Sequence, residues 1–273
     1  MTPEQETLRF VTTGEYELLP GAWPGRNFIE KSTRADNTLR AALIDEVRRR
    51  TEGHALPALP PGFDASQFVL GKVAPMVRGL FPAKEQSAML KLFEKSLVFV
   101  TQANIEQLLL ETPWLGTTWR IANLHLESLG LPGLNGQPVD IVGLSEETTF
   151  YVSMSYFQYG NPFADYVVHE AAHVFHNWKR NRAGLPHTRT REFLLEIAFA
   201  KREIFAYACE AYARILEQAK SPADRRRLHA EYAGKWAPTF DGIDRAEIVN
   251  VVSEAVGARN GWKQILQCCS KVG

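Results

Sequence analysis

Two histidines, His169 and His173, stand four positions apart in a stretch that reads as one helix. Positions four apart share a helix face. Any fold of this chain must therefore present both imidazoles side by side on an otherwise apolar surface. Val167, Val168, Ala171, Ala172, Val174 and Phe175 surround them, and Glu170 is the one charge in that run. Asn161-Pro162 reads as a helix start, with Asn as N-cap and Pro at the first helical position. Lys179, Arg180 and Arg182 crowd the last turn, and Gly184 follows as a stop. The expected helix covers 162–183, roughly 33 Å. On it both imidazoles can reach a single ion. Glu170 lies one step off that face, poorly placed to be a ligand but well placed to take a proton from a water held there. The plain alternative is a buried helix whose two histidines are satisfied by hydrogen bonds.

Residues 139–144 read as a strand, and 149–157 alternate, with Phe150, Val152, Met154 and Tyr156 on one face. The four residues between are of hairpin length. With a hairpin ahead of an HExxH helix, the chain resembles the zincin metallopeptidases over residues 150–218. The resemblance implies an α+β, mainly helical fold with a small sheet and an edge strand before the active-site helix. It implies Zn2+ held by His169 and His173, Glu170 as general base, and cleavage of a peptide or protein substrate. That substrate would add along the edge strand 149–157, facing Ser153 and the tyrosines. The metzincin extension is absent, because Lys179 stands where its third histidine belongs and position 176 is His rather than Gly. His176 is expected to cap, pack or touch a ligand from outside, since a third ligand from one helix would be crowded.

Catalytic zinc takes three protein ligands, so a third must come from elsewhere. Residues 190–218 read as one long helix carrying Glu196, Glu203 and Glu210, each seven apart and close to one face. Three carboxylates facing an apolar helix are costly without a cation. Similarity to the gluzincins implies a glutamate ligand followed three places on by a small residue. Glu203 with Ala206 and Glu210 with Ala213 fit, and Glu196 with Phe199 fits less well. Glu203 is preferred and the other two stay open. A hairpin return of the helix, bringing position 200 opposite His173, agrees with it. Tyr207 stands where several gluzincins carry an acidic residue that supports a ligand. His187, in the connecting loop, is a rival ligand or substrate contact. Tyr151, Tyr156, Tyr159, Tyr207 and Tyr212 are candidate transition-state donors, and Cys209 is expected to be core.

Composition sets the remaining bounds. Of 273 residues, 45% are hydrophobic and the net charge is zero, which gives no global pull toward nucleic acid or an anionic membrane. Arg48-Arg49-Arg50 reads as the solvated end of a helix over 35–50. Residues 1–6 lack a secretory pattern, no apolar run reaches the roughly 18 residues of a membrane span, and the three cysteines form no framework. The expectation is a cytoplasmic protein with reduced thiols, with signal-independent export left open. Residues 1–62 read as an N-terminal extension with one helix and a Pro-rich linker. Residues 63–273 read as a catalytic domain, with an upper lobe to about 160 and a lower helical lobe from about 161. Two other functions stay open: a regulatory or protein-binding module that kept the scaffold without turnover, and a zinc hydrolase acting on something other than a peptide. An intact Glu170 speaks against the first, because a structural zinc needs no base.

Overall fold

The computed structural model describes residues 1–55, 58–139, 141–158, 160–187, 191–239 and 242–270. In chain order the elements are α1 (Pro3–Thr13), α2 (Phe28–Thr51), α3 (Ala65–Leu80), α4 (Ala83–Phe93), β1 (Leu97–Val100), α5 (Ile105–Glu111) and α6 (Leu115–Ser128). Then follow β2 (Gly143–Glu146), β3 (Thr149–Ser153), α7 (Tyr166–Asn177), α8 (Arg202–Gln218), α9 (Pro222–Glu231), α10 (Arg245–Gly257) and α11 (Gly261–Cys269). This is a mainly helical α+β fold with one small sheet. None of the described helices is long and apolar enough to cross a membrane.

The chain divides into two compact units. The first comprises Met1–Pro61, Phe99–Leu144 and Tyr151–Phe157. The stretch expected as a one-helix extension carries two helices and shares this unit with α5 and α6. A reciprocal capping box between Thr2 and Gln5 starts α1, and Gly14, at φ 77°, ends it. The helix expected over 35–50 begins earlier, at Phe28, because the Asn27 side chain accepts the Glu30 amide. α2 packs on α1, α5 and α6. Its buried Arg40 donates to the Leu109 carbonyl at 2.7 Å and to the Thr118 hydroxyl at 3.1 Å, and it pairs with Asp36. The cation is thus paired and hydrogen-bonded, as burial requires.

The second unit comprises Gly62–Val98, Ser145–Phe150 and Gln158–Gly273. Here α7 packs along α8, α8 along α10 and α11, and α3 along α4, α7 and α11. An aromatic cluster fills the space behind α7. Phe175 meets Phe81 and Phe93 edge-on at 5.0 and 5.3 Å, and Phe93 meets Phe150 at 6.0 Å. Gly79 lets α3 approach so closely that an added Cβ would lie 2.2 Å from the Trp262 ring. The buried Arg180 binds both carboxylate oxygens of Glu85, at 2.7 and 3.3 Å, and donates its Nε to the Pro186 carbonyl.

The sheet has the order β1-β3-β2. β2 and β3 form the expected hairpin, although β2 covers 143–146 rather than 139–144 and Asp140 lies outside the described residues. Glu147 turns the corner at φ 52°. One expectation is overturned. β3 is the central strand, not an edge: the Phe150 amide bonds to Ser96 O and the Ser153 amide to Val142 O, both at 2.8 Å. No substrate strand can add along β3, because both of its flanks are taken. The chain beyond Ser153 turns into a 3-10 helix, Met154–Gln158. The hydroxyls of Ser153 and Ser155 both donate to Glu127 instead of facing a peptide.

The Arg180–Glu85 pair gives a test of the second unit's packing. Glu85→Ala leaves a buried guanidinium without its counter-charge, which costs about 3–5 kcal/mol. The denaturant midpoint should fall accordingly with the slope unchanged. A loss below about 1 kcal/mol would show that Arg180 is solvated rather than buried.

Candidate metal centre

The helix that carries the histidines is shorter than the sequence suggests. Its N-cap is Asp165, whose side chain accepts the Val168 amide at 3.4 Å and lies 2.8 Å from the Lys72 ammonium. Asn161 instead closes a local turn by accepting from the Phe163 amide. At the other end α7 stops at Asn177, not 183. The returning chain captures its last carbonyls: Leu195 N bonds to Phe175 O and Leu194 N to Trp178 O, at 2.8 and 2.9 Å. Arg180–Ala183 is a separate 3-10 turn, closed by Gly184 at φ 73°. Twelve residues remain in α7, about 18 Å of helix, with His169 and His173 on the face toward α8.

The expected single helix over 190–218 is also corrected. Thr190 lies outside the described residues. Residues 191–198 run beside the end of α7 through a bridge between Lys179 and Phe193, then reach Ser270 through Ile197. A 3-10 turn, Phe199–Lys201, leads into α8. Glu196 is therefore not on a helix. Its Oε1 accepts the amides of Glu192 and Phe193 at 2.8 and 2.9 Å and so shapes the loop. Glu203 sits in the first turn of α8, and Glu210 two turns further along.

Three of these side chains converge. The Nε2 atoms of His169 and His173 are 3.1 Å apart. Glu203 Oε2 lies 3.8 Å from the first and 3.6 Å from the second. Among the described residues this is the one set of donors close enough to share an ion. A tetrahedral ion with bonds of about 2.0–2.2 Å separates its ligand atoms by about 3.3–3.5 Å. The observed triangle is near that size, so the three donors fit such a cation.

The other ring nitrogens are also engaged. His169 Nδ1 lies 3.1 Å from Glu210 Oε2, and Glu210 Oε1 accepts the Asp165 amide at 2.7 Å. His173 Nδ1 lies 3.1 Å from His176 Nε2, and His176 Nδ1 lies 3.1 Å from Asn177 Oδ1. With both Nδ1 atoms turned to outer partners, both Nε2 atoms face the gap beside Glu203.

The electrostatics follow from burial and these partners. Burial works against a charged His169, but the Glu210 hydrogen bond and the charges of Glu210, Glu170 and Glu203 outweigh it and raise its pKa. Burial, helped by the neighbouring histidines and Arg202, pushes His173 down to about 2. Burial and Arg202 hold His176 at about 4, against the Asn177 hydrogen bond. The two imidazoles are thus pushed in opposite directions, His169 up and His173 down. Glu170 is buried, and burial raises its pKa against the pull of His169 and a hydrogen bond from the Ser145 hydroxyl.

Other flagged residues fall elsewhere. His187 is exposed and outside the cluster. Tyr212 packs on Trp262 at 4.9 Å. Tyr151 and Tyr156 belong to the other unit, and Tyr159 lies outside the described residues. Cys209 is buried, and burial pushes its thiol up. Tyr207 sets its ring edge-on to His169 at 4.6 Å, so the acid that supports this histidine comes from Glu210, one turn later. Glu210, which the sequence left open, here braces His169. Tyr232, which the sequence did not flag, is buried within the field of Glu210 and Tyr207.

No family model, curated protein or solved structure matches this chain. The site is read from its own geometry.

Glu210→Gln removes the largest contribution that raises the His169 pKa and leaves burial in place. In metal-free protein the His169 ring should titrate at lower pH than in wild type, followed by its ring-proton NMR signals. An unmoved titration would show that Glu210 does not hold this imidazole.

Proposed function

We propose that this chain is a zinc-dependent hydrolase built like a zincin, with metallopeptidase as the favoured activity. One observation carries the reading. Two buried imidazoles aim their Nε2 atoms at one gap, a carboxylate closes the third side, and a buried glutamate adjoins the first histidine in sequence. His169, His173 and Glu203 would hold the zinc. When bound, zinc would supply a Lewis acid that polarises a carbonyl and acidifies a water. The His2Glu donor set is one that such zinc takes.

The chain's own groups carry the proton. A carboxylate whose pKa is raised by burial is nearer in basicity to what proton transfer at neutral pH requires. Glu170 takes the proton of the attacking water and delivers it to the leaving amine. The Ser145 hydroxyl orients Glu170. Glu210, anchored on the Asp165 amide, keeps His169 presenting Nε2. A regulatory module without turnover would have no use for Glu170, whose burial as a carboxylate is a cost that catalysis explains.

Purified protein should contain about one zinc per chain and cleave members of a mixed peptide library, read by mass spectrometry, with the activity lost to chelation and restored by zinc. Glu170→Gln should keep the zinc and lose about 10²–10⁴-fold in rate. Zinc retained with no cleavage of any library would favour the regulatory module. Full activity in Glu170→Gln would remove the general-base role.

Alanine substitutions rank the three glutamates by zinc affinity. Glu203→Ala should lose the metal almost entirely. Glu210→Ala should weaken it about 10–100-fold by freeing His169. Glu196→Ala should leave it unchanged. Normal binding by Glu203→Ala would show that this carboxylate is not a ligand.

A further inference from the structure

Among the described residues no carboxylate meets His173 Nδ1, unlike His169 Nδ1, which meets Glu210. Its Nδ1 meets a second imidazole, His176, three residues along α7. A neutral imidazole can donate or accept at either nitrogen, so this contact alone does not say which nitrogen of His173 carries the proton. If it were Nε2, His173 would turn an N–H toward the gap and could bind no cation.

The polarity is decided at the far end of the chain of contacts. Arg202 Nη1 lies 3.3 Å from Asn177 Oδ1. A guanidinium only donates, so the atom facing it must be the amide oxygen, not its NH2. The same oxygen lies 3.1 Å from His176 Nδ1. An oxygen only accepts, so His176 must be protonated on Nδ1. Its Nε2 then carries a lone pair, and His173 Nδ1, 3.1 Å away, must be the donor. His173 Nε2 is left with its lone pair facing His169 Nε2 and Glu203. Each step follows from the one before, and the only group with a fixed role is Arg202.

We propose that Arg202, through Asn177 and His176, is a positioning device that locks His173 in its Nδ1–H tautomer and keeps Nε2 free for a metal. His176 is thus neither a third ligand from α7 nor a packing residue. It is buried at 2% exposure, and it orients His173 much as Glu210 orients His169. The two ligand histidines are held by unlike devices: an anion behind His169, and a neutral relay ending in a cation behind His173. A carboxylate in both places would put two negative charges behind the imidazoles in a buried site that already holds Glu170. The relay also joins the two helices. His176 and Asn177 close α7, while Arg202 and the ligand Glu203 open α8.

The assignment of a tautomer does not need a metal, whereas its use rests on the proposed zinc centre, and two measurements keep these apart. The first is long-range proton–nitrogen NMR of the metal-free protein with labelled histidine. His173 and His176 should both appear as Nδ1–H tautomers, and His176→Phe should redistribute His173 between its two forms. An Nε2–H tautomer at either residue in wild type overturns the proposal, whatever the protein does with metal. The second is zinc affinity in competition with a chromophoric chelator. His176→Phe keeps an aromatic ring and removes the acceptor, and should weaken zinc about 10–100-fold. His176→Gln, whose amide oxygen can replace Nε2 as acceptor, should return to within about threefold of wild type. Equal loss in the Phe and Gln variants would mean that His176 only packs, and would overturn the relay. Should His176→Phe fail to fold, Arg202→Met removes the fixed donor at a less buried position and should redistribute the tautomers of both histidines. Wild-type protein with the stated tautomers but no zinc affinity would sink the metal centre and leave the relay standing.

Discussion

Two imidazole nitrogens 3.1 Å apart, each with its other ring nitrogen engaged, cannot both offer a lone pair to the gap unless something positive lies there. With both rings as Nδ1–H tautomers, a proton or a cation would have to lie between them. Much of the second unit serves to hold this arrangement. The aromatic cluster of Phe81, Phe93 and Phe175 backs α7 on its apolar face. Lys72 and Asp165 fix its first turn, and the returning segment at Leu194 and Leu195 ties down its last carbonyls. With both ends held, the rings have little freedom to swing apart, so a charge bound between them would relieve the repulsion with little movement.

The parts of this fold that were legible in the sequence are those set by local rules. The turn before β3 and the shared face of His169 and His173 both follow from backbone chemistry within a few residues. The misjudged parts depend on distant partners. Residues 191–198 have the composition of a helix. They run as an irregular bridged loop because Lys179, Phe175, Trp178 and Ser270 offer them backbone partners that no local pattern announces. The helix ends at 162 and 183 were misjudged for the same reason. Asn161-Pro162 and Gly184 are sound local signals, but each closes a smaller turn beside the helix. The placement of β3 at the centre of its sheet was illegible too, since β1 joins it from some fifty residues upstream.

The expected helix over 190–218 would have placed Glu203 well inside it, facing His173 in a regular hairpin. The bridged loop instead consumes the first part of that run, and α8 begins at Arg202. Glu203 arrives in the first turn of a new helix, where the macrodipole favours a negative side chain. The spacing of Glu196, Glu203 and Glu210 suggested three equivalent carboxylates. The fold gives them three different tasks: a loop brace at Glu196, a place in the cluster for Glu203, and a brace for His169 at Glu210.

The three clustered donors are graded in exposure, and the grading bears on what kind of centre this is. The side chains of His169 and His173 are 9% and 14% exposed, while that of Glu203 is 51% exposed. A structural zinc is enclosed by four protein ligands, and its surroundings exclude water so that the metal is not drawn into chemistry. Here the two imidazoles form a buried floor and the carboxylate stands at the solvent side. An ion on that floor would meet water on the side where Glu203 stands. Glu170 is buried next to His169, with a basicity that burial raises toward neutrality. A carboxylate kept there without a proton to move would be a standing cost to the fold. The same carboxylate beside a water held at a metal is where a hydrolase needs one. The gradient of burial and the position of Glu170 thus support the same reading from independent features of the site.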